Sequence, residues 1–418
     1  MNLLYRKTCR VCGSHAIEQS IDLGEQYLQG AFVKADTKAP PLRKIPTALM
    51  RCDPTQDEEA CGLLQMACSV PPDILYSTYW YRSGTNRTMR DHLCEIATET
   101  TDFIGRKNAT VLDIGCNDGT LLRAYPNTLK KIGIDPSDAV IGVKGEFLVI
   151  RDRFPSAKLL DALKGERLDA VTSIAMFYDL ESPVSFAKSV KQVLAQDGVW
   201  VFEMSYLPSM LRQNAYDTIC HEHLEYYSLS VVERIMRLAG LRLFRVSLND
   251  INGGSIRCHA THEENDSFNG VDAGCLEELR ISEFELELET EKPYIAFQRR
   301  IDINKKELVD LLNRLNSEGA KIHIYGASTK GNTILQWCGI DNRLIECAAE
   351  RNPDKVGAMT LGTNIRIVSE DESRRMKPDY YLVLPWHFKE EFVQREKASL
   401  ASGIGMIFPL PNVEVVRK

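Results

Sequence analysis

Apolar positions along the chain keep two different periods, and the switches between them mark out its elements. "TVLDI" (110–114) is a short apolar run that enters a glycine turn, after which "TLLRAY" (120–125) resumes with helical spacing. A buried strand feeding a helix through a glycine turn is the opening unit of a doubly wound α/β sheet. Two more strands are predicted in "LDAVTSIAMFYDL" and "GVWVFEMSYL", with the helical "PVSFAKSVKQVLAQDG" between them. Ahead of this unit, "MRDHLCEIATETTDFI" is an amphipathic helix. Residues 266–318 are charge-rich and helical, with Phe297, Ile301, Leu308, Leu312 and Leu315 at helical spacing, a stripe that serves packing. "KIHIYGASTKGNTILQW" then repeats the strand, glycine loop and helix, and "LIECAAE" and "PDYYLVLPWHF" supply further strands. The chain therefore carries two open α/β units.

At 418 residues the chain has room for about two to three domains. A net charge of −7 argues against a nucleic-acid partner. No run approaches the roughly 18 apolar residues that span a bilayer, so no membrane partner is expected. "MNLLYRKTCRVCG" lacks the apolar core of a signal peptide. Twelve scattered cysteines suit a reducing cytoplasm better than a disulfide framework. The acidic helical face around 279–291 shows no sustained heptad, and a monomer is expected.

"CRVCG" sets Cys9 and Cys12 at the spacing of a zinc knuckle, where a glycine turn lets both thiolates face one ion. "RCDPTQDEEACGLLQ" offers Cys52 and Cys61 as the second pair, at a spacing longer than a knuckle's, with Cys68 a possible substitute. The stretch between the pairs is turn-rich with little obvious core, so a structural Zn2+ would help it fold.

In the first α/β unit the turn reads Asp113-x-Gly115-x-x-x-Gly119. This is neither the G-x-G-x-x-G of a dinucleotide site nor a P-loop. Glycines let the backbone pass close to a ligand, and an acid before the turn suits a positive or hydroxyl-rich one. About 20 residues on, "KIGIDPS" ends the next strand with Asp135, placed to accept hydrogen bonds from ribose hydroxyls. In the second unit, the loop Gly326–Asn332 offers amides, hydroxyls and Lys330 at a helix start, which suits a phosphate; Ser328 or Thr329 could equally be ordinary caps. "ERNPDKVG" and "PWHF" sit at other strand ends, where such sheets bind ligands.

"TICHEHLEYY" (218–227) gathers Cys220, His221, Glu222, His223 and Glu225. In a strand, His221 and His223 would share a face; on a helix they would splay. The residues alone leave a metal site, a proton-transfer site and a polar loop open.

The acid, glycines and second-strand acid resemble the cofactor motif of class I S-adenosyl-L-methionine-dependent methyltransferases. That likeness implies Asp113, Gly115, Cys116, Asn117 and Gly119 at the cofactor, Asp135 on its ribose, and Met176, Phe177 and Tyr178 over its adenine. Adding the cysteine pairs, "YWYRSGTN" (79–86), "HEHLEYYSL", "YGASTKGNT" and "LPWHF", nearly the whole chain resembles the sugar C-methyltransferases. These act on nucleotide-linked 4-keto-deoxysugars, at C3. The resemblance implies a zinc-binding module at 1–75, a methyltransferase core at 76–265 and a second Rossmann-like domain for the nucleotide sugar at 266–418. It implies His223 as general base supported by Glu222, with His221, Tyr79 and Tyr81 beside the transfer site and Ser83 and Asn86 on the cofactor. His221, Tyr226, Tyr227 and Asn252 would receive the charge of an enolate, and Asn252, Ser328, Lys330, Asn332, Arg351, Trp386 and His387 would hold substrate. The rival readings are an O-methyltransferase on a nucleotide sugar, a metal-dependent hydrolase, and a zinc scaffold with a decayed core.

Overall fold

The computed structural model describes residues 2–34, 42–76 and 79–417. Its central sheet has seven strands in the order Leu241–Asn249, Ser255–His262, Leu194–Ser205, Leu168–Ile174, Thr110–Ile114, Lys130–Ile134, Leu148–Ile150. The last five run parallel, and Ser255–His262 is antiparallel to both of its neighbours. The chain enters in mid-sheet at Thr110–Ile114, steps outward to Leu148–Ile150, then returns to Leu168–Ile174. That reversal puts a switch-point crevice at the carboxyl ends of Thr110–Ile114 and Leu168–Ile174. Leu112, Val171, Trp200 and Phe202 are fully buried in the sheet's core. The amphipathic helix forms as Arg87–Ile104, burying Leu93, Ile96 and Ala97 and ending on Gly105 at φ 62°. One boundary differs from the sequence pattern: the helix Pro183–Val193 gives way to strand at Leu194, because Leu194 pairs with Leu168 through a bulge.

The C-terminal sheet repeats the plan. Its order is Ile367–Ser369, Ala348–Glu350, Ile322–Tyr325, Tyr380–Val383, Gly405–Phe408, Glu414–Val416, with only the last strand antiparallel. Here the switch point lies between Ile322–Tyr325 and Tyr380–Val383, whose ends carry the 326–332 loop and "PWHF". The helix Lys292–Ser317 buries Phe297, Ile301, Leu308, Leu312 and Leu315, the stripe read as packing.

Between the cysteine pairs the sequence pattern predicts turns with little core. Instead, Ile17–Gln26, Ile45–Cys52 and Leu64–Met66 form an antiparallel sheet. Its Ile21, Leu23 and Leu49 share a core with Phe297 and Ile301, so the apolar partners come from a distant helix and are invisible locally. The fourth strand of this sheet is Glu225–Tyr226, from the "HEHLEYY" segment, pairing Glu225 with Gln65 and Tyr226 with Leu64. Phe32–Val33 pairs with Met359–Thr360 of the C-terminal region. The helix Ala273–Glu285 packs Leu276 into the core of the central sheet, and Glu283 accepts from Tyr206 at 2.7 Å. The three regions are thus interleaved. Among the described residues no helix is long and apolar enough to cross a membrane.

Candidate active site

The sulfurs of Cys9, Cys12, Cys52 and Cys61 all lie within 4.8 Å of one another. Cys9 and Cys61 are 3.5 Å apart, as are Cys12 and Cys52. Tetrahedral Zn2+ with sulfur ligands needs about 3.8 Å between sulfurs, so the four thiols fit a closed structural zinc site. The long Cys52–Cys61 spacing closes because the intervening residues fold on Asp53, which accepts from Thr55 N at 2.9 Å and from Gln56 Nε2 at 2.9 Å. Cys68 takes no part; its thiol points to the Pro46 carbonyl at 3.7 Å.

At the first switch point, Asp113 is buried and accepts from Thr172 Oγ1 at 2.8 Å; burial pushes its carboxyl up to about 7. A cationic ligand would restore its charge. Gly115 adopts φ 76°, and a Cβ there would come within 3.2 Å of Met176 Cγ. Asn117 donates its N–H to Asp135 at 3.0 Å, and Asp135 also accepts from Ser137 N at 2.8 Å. The Cys116 thiol is turned against Gly133, so this residue can offer the cofactor only backbone. The 79–86 segment lies across the glycine turn: Ser83 N–H donates to Asn117 at 3.1 Å, Gly84 N–H to Asp118 at 2.8 Å, and Asn117 Nδ2 to the Tyr81 carbonyl at 3.1 Å. Asn86 Oδ1 is buried with no protein partner, and Asn86 precedes the helix Arg87–Ile104. A buried acid, close backbone turns and an orphaned amide oxygen suit S-adenosylmethionine, which supplies the methyl group. Phe177 departs from its expected place over the adenine. It is fully buried, with its ring 5.4 Å from Trp200 and 5.3 Å from Phe202, leaving Met176 alone facing the glycine turn.

His221 and His223 do not converge, because 221–222 form a turn rather than a strand. His221 is buried against the N-terminal sheet, with Nε2 3.3 Å from Thr47 Oγ1 and its N–H on Gln29 Oε1 at 3.1 Å; burial lowers its pKa to about 4. His223 is half-buried beside Tyr178, with ring centroids 4.3 Å apart. Its Nδ1 lies 2.8 Å from the Thr218 carbonyl, which can only accept, so Nδ1 carries the proton and Nε2 keeps a lone pair. Burial, then the nearby Lys330 charge, lowers the His223 pKa to about 3. Glu222 does not support His223 directly. Its carboxyl lies over Gly30, where a Cβ would meet Oε1 at 1.8 Å, and it faces Thr329 and Lys355. Burial raises Glu222 to about 7. Thr218 is the group that orients the His223 ring.

Tyr79 packs near Tyr76, centroids 6.1 Å apart, and burial raises its phenol pKa well above the usual range, with Glu222 and Asp179 adding to it. Tyr81 is 46% exposed. The C-terminal switch point meets this cluster through the 249–255 loop. Lys330 Nζ donates to the Asn252 carbonyl at 2.7 Å, and Trp386 Nε1 donates to Asp217 at 2.9 Å. A Cβ at Gly253 would come within 3.0 Å of the Trp386 ring. Ser328 caps its own helix by accepting from Gly331 N at 3.0 Å. Asn332 donates to the Gln29 carbonyl at 2.6 Å, tying that helix to the N-terminal sheet. Arg351 is exposed and His387 half-buried. Lys355, passed over in "ERNPDKVG", is buried, with Nζ 2.7 Å from the Ala327 carbonyl and 4.8 Å from the Phe32 ring centre. Thr218 and Asp217 carried no signal, since both act through tertiary contacts.

Three family models match in succession: "Putative zinc binding domain" over 9–76, "Methyltransferase domain" over 81–246 and "C-methyltransferase C-terminal domain" over 250–411. C-methyltransferase NovU of Streptomyces niveus is 26% identical over 417 residues, 98% of this chain and 96% of its own. Among solved structures, an S-adenosylmethionine-dependent methyltransferase of Clostridium acetobutylicum covers 41% of this chain and 92% of its own, at 11% identity and TM-score 0.33. The magnesium protoporphyrin IX methyltransferase of Synechocystis, with bound SAH, covers 42% and 88% at 11% identity and TM-score 0.33. With a zinc-binding module, a methyltransferase domain and a C-methyltransferase C-terminal domain following one another, the chain is an S-adenosylmethionine-dependent C-methyltransferase related to NovU.

Proposed function

We propose that the enzyme methylates C3 of a nucleotide-linked 4-keto-deoxysugar, with thymidine diphosphate as the nucleotide, after His223 removes the proton from that carbon. One observation carries the reading: the Nδ1 contact with the Thr218 carbonyl leaves His223 Nε2 as an acceptor between the two switch points. Carbon has no lone pair with which to attack a methyl group, and a neighbouring ketone solves this by making the carbon acidic. Loss of its proton gives an enolate, a carbon nucleophile. His223 is neutral at pH 7 and so ready to act as a base. Its low pKa is offset once an anion forms beside the imidazolium, since an opposite charge favours the charged form. The sugar reading rests on the likeness of "HEHLEYYSL", "YGASTKGNT" and "LPWHF" to sugar C-methyltransferases. The exposed Arg351 and the opening amides of the helix Thr329–Cys338 are the groups proposed to meet the diphosphate. The enzyme acts in the cytoplasm, as a monomer, in deoxysugar biosynthesis.

Incubation with labelled S-adenosylmethionine and a panel of thymidine-diphosphate ketosugars tests this. Label on carbon, together with hydrogen–deuterium exchange at C3 in heavy water, is expected. Label on oxygen without exchange would make the protein an O-methyltransferase instead.

A further inference from the structure

The sequence offers His221, Tyr226, Tyr227 and Asn252 to receive the charge of an enolate, and the structure turns the His221 ring and both tyrosine hydroxyls elsewhere. His221 is turned to Thr47, the Tyr226 hydroxyl donates to the Thr218 carbonyl at 3.3 Å, and the Tyr227 hydroxyl donates to the Phe177 carbonyl at 3.4 Å. Asn252 meets Lys330 only through its backbone carbonyl, an acceptor, which cannot receive an enolate's charge.

Lys330 sits in the first turn of the helix Thr329–Cys338, which is fastened to the catalytic segment by Thr333 Oγ1 on the Ile219 carbonyl at 3.3 Å. An ammonium has three donors, and the Asn252 carbonyl at 2.7 Å is the one recorded acceptor among the described residues. Burial lowers the Lys330 pKa, and Asp217 and then Cys220 act against that, while His223 and His387 are the groups whose protonation Lys330 opposes. Asp217 is anchored through Oδ2 to Trp386, while its Oδ1 and the Nδ1 of His387 are buried with no protein partner. Polar atoms without partners and two N–H groups of a cation thus gather beside the base.

We propose that the Lys330 ammonium donates to the substrate's carbonyl oxygen and carries the negative charge that forms there. This rests on the ketosugar reading above. As His223 Nε2 takes the proton, the C–H electron pair becomes the carbon–carbon double bond and the carbonyl π pair moves onto oxygen, beside Lys330. When the carbon then takes the methyl group, the carbon–carbon double-bond pair forms the new bond to it, the oxygen pair returns to the carbonyl and the C–S pair stays on sulfur. The same positive charge adds to burial in keeping His223 deprotonated, so one cation both helps prepare the base and receives the product of its action. The phosphate role read from the glycine loop falls instead to the helix amides and Arg351.

Lys330→Met and Lys330→Arg, assayed on a ketosugar the wild type turns over, test the assignment. Lys330→Met is expected to slow C3 deuterium exchange and methyl transfer together, by roughly 10²–10³ in kcat. Its cofactor affinity by calorimetry should be unchanged, and Lys330→Arg should recover part of the rate by keeping the charge. Exchange at the wild-type rate in Lys330→Met, or a loss confined to KM as a phosphate anchor would give, overturns the assignment alone. A wild type that exchanges no ketosugar proton overturns the ketosugar reading along with it.

Discussion

The backbone N–H of Met66 donates to the carbonyl of Leu224 at 2.8 Å, and the N–H of Leu224 donates in turn to the carbonyl of Tyr178 at 2.7 Å. Met66 closes the strand that leaves Cys61, and Leu224 follows His223 directly. A hydrogen-bonded path therefore runs from the zinc cysteines to the proposed base and on to its ring neighbour Tyr178. Zinc bound there would steady the loop that carries the proposed base as well as its own module.

Purified protein is expected to carry about one equivalent of zinc on four thiolates. Cys61→Ser or chelation should raise amide hydrogen exchange at Leu64–Met66 and Glu225–Tyr226 before it does so in the central sheet. Elemental analysis that finds no metal, or exchange that rises uniformly, would disprove the linkage.

Asp135→Ala should weaken S-adenosylmethionine binding by roughly 1–3 kcal/mol, the range for hydrogen bonds to a charged group. Part of that loss comes from the turn, because Asp135 also holds the N–H of Asn117. Calorimetry showing wild-type affinity would remove Asp135 from the cofactor site.

His223→Ala should lower kcat by roughly 10²–10⁴ with cofactor affinity intact, the usual cost of losing a general base. Glu222→Gln should cost less, because its carboxyl faces Thr329 and Lys355 rather than His223. Deuterium exchange at C3 that survives His223→Ala would place the base elsewhere, with Tyr79 the first residue to examine.

His221 sets an acid limit on stability. Burial lowers its pKa from the usual 6.5 to about 4, so between these values the unfolded chain binds more protons and stability rises with pH. The stabilisation is complete above 6.5 and lost as pH falls towards 4, about 3 kcal/mol in all. His221→Gln should flatten this part of the stability curve in urea titrations across that window. An unchanged slope would show that other groups set it.

Strands and glycine turns were legible because backbone period and positive φ act locally. The Asp113–Asp135 arrangement and the Cys9–Cys12 knuckle were read on those grounds, and the four sulfurs do gather. Phe177 was not legible: the strand stops at Ile174 and Phe177 opens a short helical turn that sets its ring against Trp200 in the core. The split between His221 and His223 was hidden for a related reason. It depends on a turn that lets Glu225–Tyr226 join a sheet whose other strands lie far back in the sequence. Lys355 escaped notice because a lysine is ordinarily a surface residue, and its burial is created by Phe32 and the Ala327 carbonyl.

The pairing of Phe32–Val33 with Met359–Thr360 bears on how the chain is made. Synthesis delivers the first member of this pair near the start and the second near the end, and Glu225–Tyr226 also emerges long after Leu64–Met66. Contacts between such distant residues carry a large loop-closure entropy and form slowly. While the ribosome works, the edge of Leu64–Met66 and the short strand Phe32–Val33 stay unpaired, and open strand edges are the surfaces on which nascent chains associate. Phe32–Val33 is therefore made long before the strand that completes it, and a protein truncated before Met359 leaves it without its partner.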